Sequence, residues 1–166
     1  MEKQALRDLF DIHYRENRRV WSRVTTLSDE QFTRELDSVT GSIRAQLVHM
    51  VAEENLWVNY LWHDGIEFLQ EADFPSRPAI RYEWDELEEE ILDFVDDLTP
   101  TELEREVAPD FLNGTSVKIR EVLLQLIDQA SERRAQILAG LQRIDAPHPR
   151  QKASGYCLGG QMTQTL

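Results

Sequence analysis

A single cysteine, Cys157, stands among 166 residues. One thiol excludes an internal disulfide framework and fits a reducing cytoplasm. No apolar run approaches the roughly 18–20 residues that a membrane span requires, so no membrane association is expected. The opening segment, MEKQALRDLFDIHYRENRR, carries charges throughout and has no uninterrupted apolar stretch, so it does not read as a signal peptide. Positive charge is scarce as well. Acidic residues outnumber basic ones 31 to 18, the net charge is −13, and RENRR at 15–19 is the only basic cluster near the start. Nucleic-acid binders carry a basic face that displaces counterions from phosphates, so no nucleic-acid partner is expected. The sequence also lacks a phosphate-cradling glycine-rich loop, a CxxC pair and a nucleophile elbow.

What is present is helical periodicity without a sustained strand pattern. In the first segment Leu6, Phe10, His13, Asn17, Val20, Val24 and Leu27 recur at spacings of three and four. SDEQ at 28–31 then forms a capping box, which opens a short turn. A second helix over about 42–63 carries Ile43, Leu47, Met50, Trp57 and Leu61, with Glu54 inside the stripe. Pro75 and Pro78 make the next connection irregular, and Ile80, Trp84, Leu87, Ile91, Val95 and Leu98 define a third helix with a Glu-rich outer face. TPTE at 99–102 is another capping box, and Asn113-Gly114 marks a tight turn of the kind that closes a small hairpin. The fourth helix, about 116–144, presents Val122, Leu126, Ile137 and Leu141. Together these predict an all-α four-helix bundle over 1–146 with long crossover connections, followed by a tail at 147–166 that is loose or docks through Tyr156 and Leu158. The connections between helices two and three and between three and four are expected to cross the bundle ends.

Polar residues interrupt the apolar stripes. They are His13 and Asn17 on the first helix, Glu54 with His49 and Glu53 on the second, and Gln129 and Arg133 on the fourth. Buried without partners, each would cost roughly 1–3 kcal/mol, so they must satisfy one another or a ligand. The plain reading makes His13 a hydrogen-bonded core residue and lets Glu54 snorkel at a helix edge. His63 then sits near helix-terminal carbonyls, and His148 lies at the surface.

The segments DIHYRENRRVW, SIRAQLVHMVAEENLWV and IREVLLQLIDQASERRAQIL resemble the signature regions of the DinB/YfiT-like superfamily of helical bundles, in order over about residues 6–141. The resemblance implies a divalent metal, often nickel or zinc, held by one histidine on the second helix and two on the last long helix. It also implies transfer of low-molecular-weight thiols, or thiol-dependent isomerisation, with the metal lowering the thiol pKa. His49 in QLVHMVAEE matches the first ligand, but Gln129 and Arg133 stand where the other two fall, ahead of an RAQI ending at 134–137. A guanidinium carries a permanent charge and cannot coordinate a cation. The leading expectation is therefore a member without its metal, serving as a small-ligand-binding or structural protein. Its pocket would comprise His13, Asn17, His49, Glu53, Glu54, Gln129 and Arg133, with Arg133 in the bundle interior against Glu53 or Glu54 and a small anion as ligand. The alternative is a rebuilt zinc or nickel site on His13, His49 and Glu53 or Glu54, running thiol-transferase-like chemistry. A cytoplasmic homodimer is expected, since family members pair through helix faces and Trp21, Trp57, Trp62 and Trp84 exceed what one small core needs.

Overall fold

The computed structural model describes residues 3–36, 41–63 and 65–145. The expected tail, with His148, Tyr156, Cys157 and Leu158, lies outside them. Four long helices carry the fold: α1 (Lys3–Val24), α3 (Ile43–Leu61), α4 (Arg77–Asp97) and α6 (Ile119–Asp145). Short helices α2 (Asp29–Thr33) and α5 (Pro100–Leu103) lie in two of the connections. Among the described residues no helix is long and apolar enough to cross a membrane.

The helix starts follow from local chemistry. Ser28 caps α2 with a full capping box to Gln31, and Thr99 caps α5 in the same way with Glu102. Ser42 accepts from the Ala45 amide to open α3. The third long helix begins earlier than its apolar stripe suggests, at Arg77, with Ser76 as cap. Pro78 lies in the first turn, where its missing N–H has no intrahelical partner to lose. Residues 104–118 hold a small antiparallel hairpin, Glu106 opposite Lys118 and Val107 opposite Val117. Its turn uses Asn113 and Gly114, at φ 53° and 72°, the left-handed region open to asparagine and glycine.

The long helices pack as a ring in the order α1–α4–α3–α6, which leaves α1 and α3 at opposite corners, and likewise α4 and α6. Side-chain bonds fix the directions. Lys3 and Arg7 at the start of α1 bind Asp96 at the end of α4, and Arg77 at the start of α4 donates to Val24 O at the end of α1 and to Leu27 O just beyond it, so these two run antiparallel. By contrast, Arg44 near the start of α3 donates to Glu71 O and Phe74 O just ahead of α4, and the ring of Trp62 at the other end lies 5.4 Å from Phe94. Helices α3 and α4 are thus parallel.

Parallel neighbours require a connection that returns the full helix length. The segment from 65 to 76 does this. It touches α3 at Asn55 through Glu67, at 3.3 Å, and again at Arg44 through the 3-10 turn Glu71–Asp73. Eleven helical residues separate these anchors, about 16 Å at 1.5 Å per residue. The sequence-based expectation for this connection is therefore corrected: it runs back along α3 instead of crossing a bundle end. The connection at 98–118 does join helices at opposite corners.

The core is continuous along the ring, with Leu6, Phe10, Leu47, Met50, Trp84, Ile91, Leu123 and Ile137 all nearly sealed from solvent. Within it His13, Asn17 and Glu54 are also buried. That polar insertion positions the site.

Candidate functional site

The polar residues on the apolar stripes divide into two groups on opposite sides of α6. The first lies in the core. Glu54, 2% exposed, reaches across the bundle diagonal from α3 to α1. Its carboxylate lies 3.0 Å from His13 Nε2 and accepts from the Tyr14 hydroxyl at 3.3 Å. On the far side of the imidazole, Arg134 Nη1 of α6 lies 3.0 Å from His13 Nδ1 and donates to Asn17 Oδ1 at 2.7 Å. A guanidinium only donates, so Nδ1 accepts and Nε2 carries the proton that it donates to Glu54. The Asn17 nitrogen is left 3.1 Å from Nε2, donor facing donor, because its oxygen is committed to Arg134. Flipping the amide would place its NH2 against Arg134 instead.

The result is a carboxylate–imidazole–guanidinium chain. Burial, reinforced by the charge of Glu54, holds the Tyr14 hydroxyl well above the ordinary tyrosine pKa of 10.0. Burial also draws the Arg134 guanidinium below the usual arginine range. Sequence reasoning identified His13, Asn17 and Glu54. It overlooked Tyr14, which follows His13 and reads as ordinary core, and Arg134, which falls in the RAQI segment. Glu54 is not at a helix edge with its head in water; it is an internal acceptor. The plain reading of His13 as a hydrogen-bonded core residue agrees with its contacts.

The second group lies in the groove between α3 and α6. Arg133 Nη2 donates to Glu53 Oε1 at 3.0 Å, and Nη1 donates to Gln46 Oε1 at 3.3 Å. The pairing with Glu53 was expected, but the depth was not: the Arg133 and Glu53 side chains remain 27% and 31% exposed. Arg133 belongs to a half-open groove and not to the bundle interior. Beside it lies a cavity of about 170 Å³ lined by Glu53, Gln129, Glu132, Arg133 and Gln136. Gln136 Oε1 is buried there without a hydrogen-bond partner among the described residues.

His49 shares the α3 face of Gln46 and Glu53 but is exposed. The structure therefore does not gather His13, His49 and Glu53, since the first is sealed in the core and the others lie at the groove. Among the described residues no three His, Cys, Asp or Glu side chains form a group able to hold a metal ion. His63 is exposed and lies 3.3 Å from Glu90 of α4, so a carboxylate faces it as well as the helix end.

The split has a simple cause. One residue along an α-helix turns the side chain by about 100°. On α6, Arg133 faces α3 while Arg134 faces α1. On α3, Glu53 faces the α6 groove while Glu54 faces the diagonal corner. Both adjacent pairs are thereby assigned to different sites.

No curated protein matches the chain. The family model described as the DinB family matches residues 1–144, which takes in all four long helices and both polar groups. On that match the chain belongs to the DinB family.

Proposed function

We propose that this DinB-family bundle has lost the family's metal site and acts as a small-ligand-binding or structural member. The observation that carries the reading is the Arg133–Glu53 pair at 3.0 Å. Of the three positions matched to the family's histidines, only His49 keeps a nitrogen ligand. Gln129 offers a weak neutral oxygen, and Arg133 places a permanent cation where a ligand would stand. Glu53, the carboxylate nearest that position, is engaged by the same guanidinium. This donor set does not fit a divalent ion, which needs three or four deprotonated nitrogen, sulfur or oxygen ligands at fixed geometry. Metal-assisted thiol activation is accordingly not proposed for this chain.

The ligand we infer is a small anion held by arginine. The α3–α6 cavity is poorly suited to it, because Glu53 balances Arg133 and Glu132 adds negative charge. The core chain of Glu54, His13 and Arg134 acts instead as a rigid brace that presents Arg134 from the inside. Homodimer formation in the cytoplasm is part of the same proposal. Trp57 and Trp84 are core and Trp21 is half-buried, whereas Trp62, Ile66, Phe68 and Tyr82 are 39%, 50%, 62% and 65% exposed, which supports a covered face. Light scattering at micromolar concentration tests it, and a sole 19.4 kDa species would refute it.

Metal analysis of protein purified without an affinity tag tests the main reading. Substoichiometric metal is expected. One zinc or nickel per chain would overturn it.

A further inference from the structure

Among the described residues no carboxylate hydrogen-bonds the Arg134 guanidinium; Glu16 and Glu54 act on its charge without a direct bond. Its hydrogen bonds go to His13 Nδ1, Asn17 Oδ1 and, through Nη2, to Ser131 Oγ at 2.7 Å, all uncharged acceptors. Three of its five N–H groups are used in this way, which leaves donors over. A half-buried charge hydrogen-bonded only to neutral groups is costly, and an anion supplied from outside would relieve it.

The open side of Arg134 faces a groove of about 410 Å³ between α1 and α6, within the roughly 300–1,000 Å³ of small-molecule sites. Arg19, Arg23 and Arg134 line this groove with Glu16, and Arg134 is the one among them whose spare N–H groups lie beside the core chain. Glu16 itself is bound to Arg19 at 2.7 Å. Besides Ser131, whose hydroxyl accepts from Arg134, the remaining wall is apolar: Val20 from α1, and Ala135 and Leu138 from α6. A cationic end beside an aliphatic wall selects an anion that carries an apolar body, and a planar carboxylate matches the guanidinium fork.

We propose that the α1–α6 groove binds a small aliphatic carboxylate, seated on Arg134 with its chain against Val20, Ala135 and Leu138. The inference rests on the small-ligand reading above and names its site and ligand class. The groove lies on the opposite flank of α6 from the positions matched to the family's metal ligands.

Calorimetric titration of the full chain with hexanoate, hexanamide and hexylammonium tests it. Hexanoate is expected to saturate one site, with hexanamide at least about tenfold weaker, the scale of one charge-assisted hydrogen bond, and hexylammonium silent. Arg134→Leu should abolish binding, but it also withdraws a partner from His13 and risks the fold. Ala135→Glu serves as the second variant: the position is exposed on the groove wall, so a new carboxylate there repels the ligand without touching the core. It should weaken hexanoate at least about tenfold with an unchanged thermal melt. Arg133→Ala, in the other groove, should leave hexanoate affinity within about twofold. Absence of saturable hexanoate binding, equal binding of hexanamide, or indifference to Ala135→Glu would overturn the site. Loss of binding in Arg133→Ala alone would move the ligand to α3–α6, overturning this groove but not the small-ligand reading. Stoichiometric metal with hexanoate binding intact would do the reverse.

Discussion

Glu54→Gln changes one oxygen to nitrogen in a side chain that is 2% exposed, and it should destabilise the bundle by about 2–4 kcal/mol. The carboxylate accepts two hydrogen bonds, from His13 Nε2 at 3.0 Å and from the Tyr14 hydroxyl at 3.3 Å. Each bond to a charged acceptor is worth roughly 1.5–3 kcal/mol. Glutamine keeps one acceptor, now uncharged, and turns an NH2 toward the other donor. Reversing the His13 tautomer would relieve that clash only by pointing an N–H at Arg134, which cannot accept. The substitution also removes the negative end of the chain that balances Arg134 through the imidazole. Breaking a fully buried pair costs roughly 3–5 kcal/mol, and the partial exposure of Arg134 brings the figure down. For a domain stable by roughly 5–15 kcal/mol this is a large fraction. Urea unfolding followed by circular dichroism is the assay, read as a shift in midpoint at unchanged m. A cost below about 0.5 kcal/mol, the level of an ordinary surface change, would refute the hydrogen-bonded chain as a structural element.

Two further outcomes follow from the same geometry. The Tyr14 pKa is raised in the fold, so between the unfolded value of 10.0 and the higher folded value the native state holds the extra proton. Stability from Tyr14 is thus complete below about pH 10 and is lost as pH rises beyond it, by about 1.4 kcal/mol per unit. Tyr14→Phe should flatten that alkaline limb in urea unfolding across the range, and an unchanged limb would contradict the burial of the hydroxyl. Arg133→Ala should cost about 1 kcal/mol or less by the same assay, because both partners are about three-tenths exposed and water screens the pair; a loss of 3 kcal/mol or more would place the pair in the interior after all.

Much of the fold was legible because helices announce themselves. The stripe from Leu6 to Leu27, the capping boxes at Ser28 and Thr99, and the Asn113-Gly114 turn all depend on neighbours within four residues. The path of the 65–76 connection was not legible. A proline-containing loop of that length permits either crossing a bundle end or returning along a helix, and the choice rests on distant anchors such as Arg44 to Phe74 O. For the site, periodicity identified which residues face inward but not which neighbour each one meets. Val122, Leu126, Gln129, Arg133 and Ile137 form one stripe on a helical wheel, yet the stripe lies along the boundary between the core and the α3 groove. Its apolar members are buried while Gln129 and Arg133 stay half-exposed, and Arg134 carries the deeper contact.

The central claim is that arginine has replaced the metal between α3 and α6. Calorimetric zinc titration of the wild-type chain beside the Gln129→His/Arg133→His double variant tests it most directly. The account predicts no stoichiometric zinc binding to the wild-type chain and one zinc per chain in the variant, where two new imidazoles face His49 and Glu53 is released from its guanidinium. Stoichiometric zinc binding by the wild-type chain, unchanged by the double substitution, would contradict it.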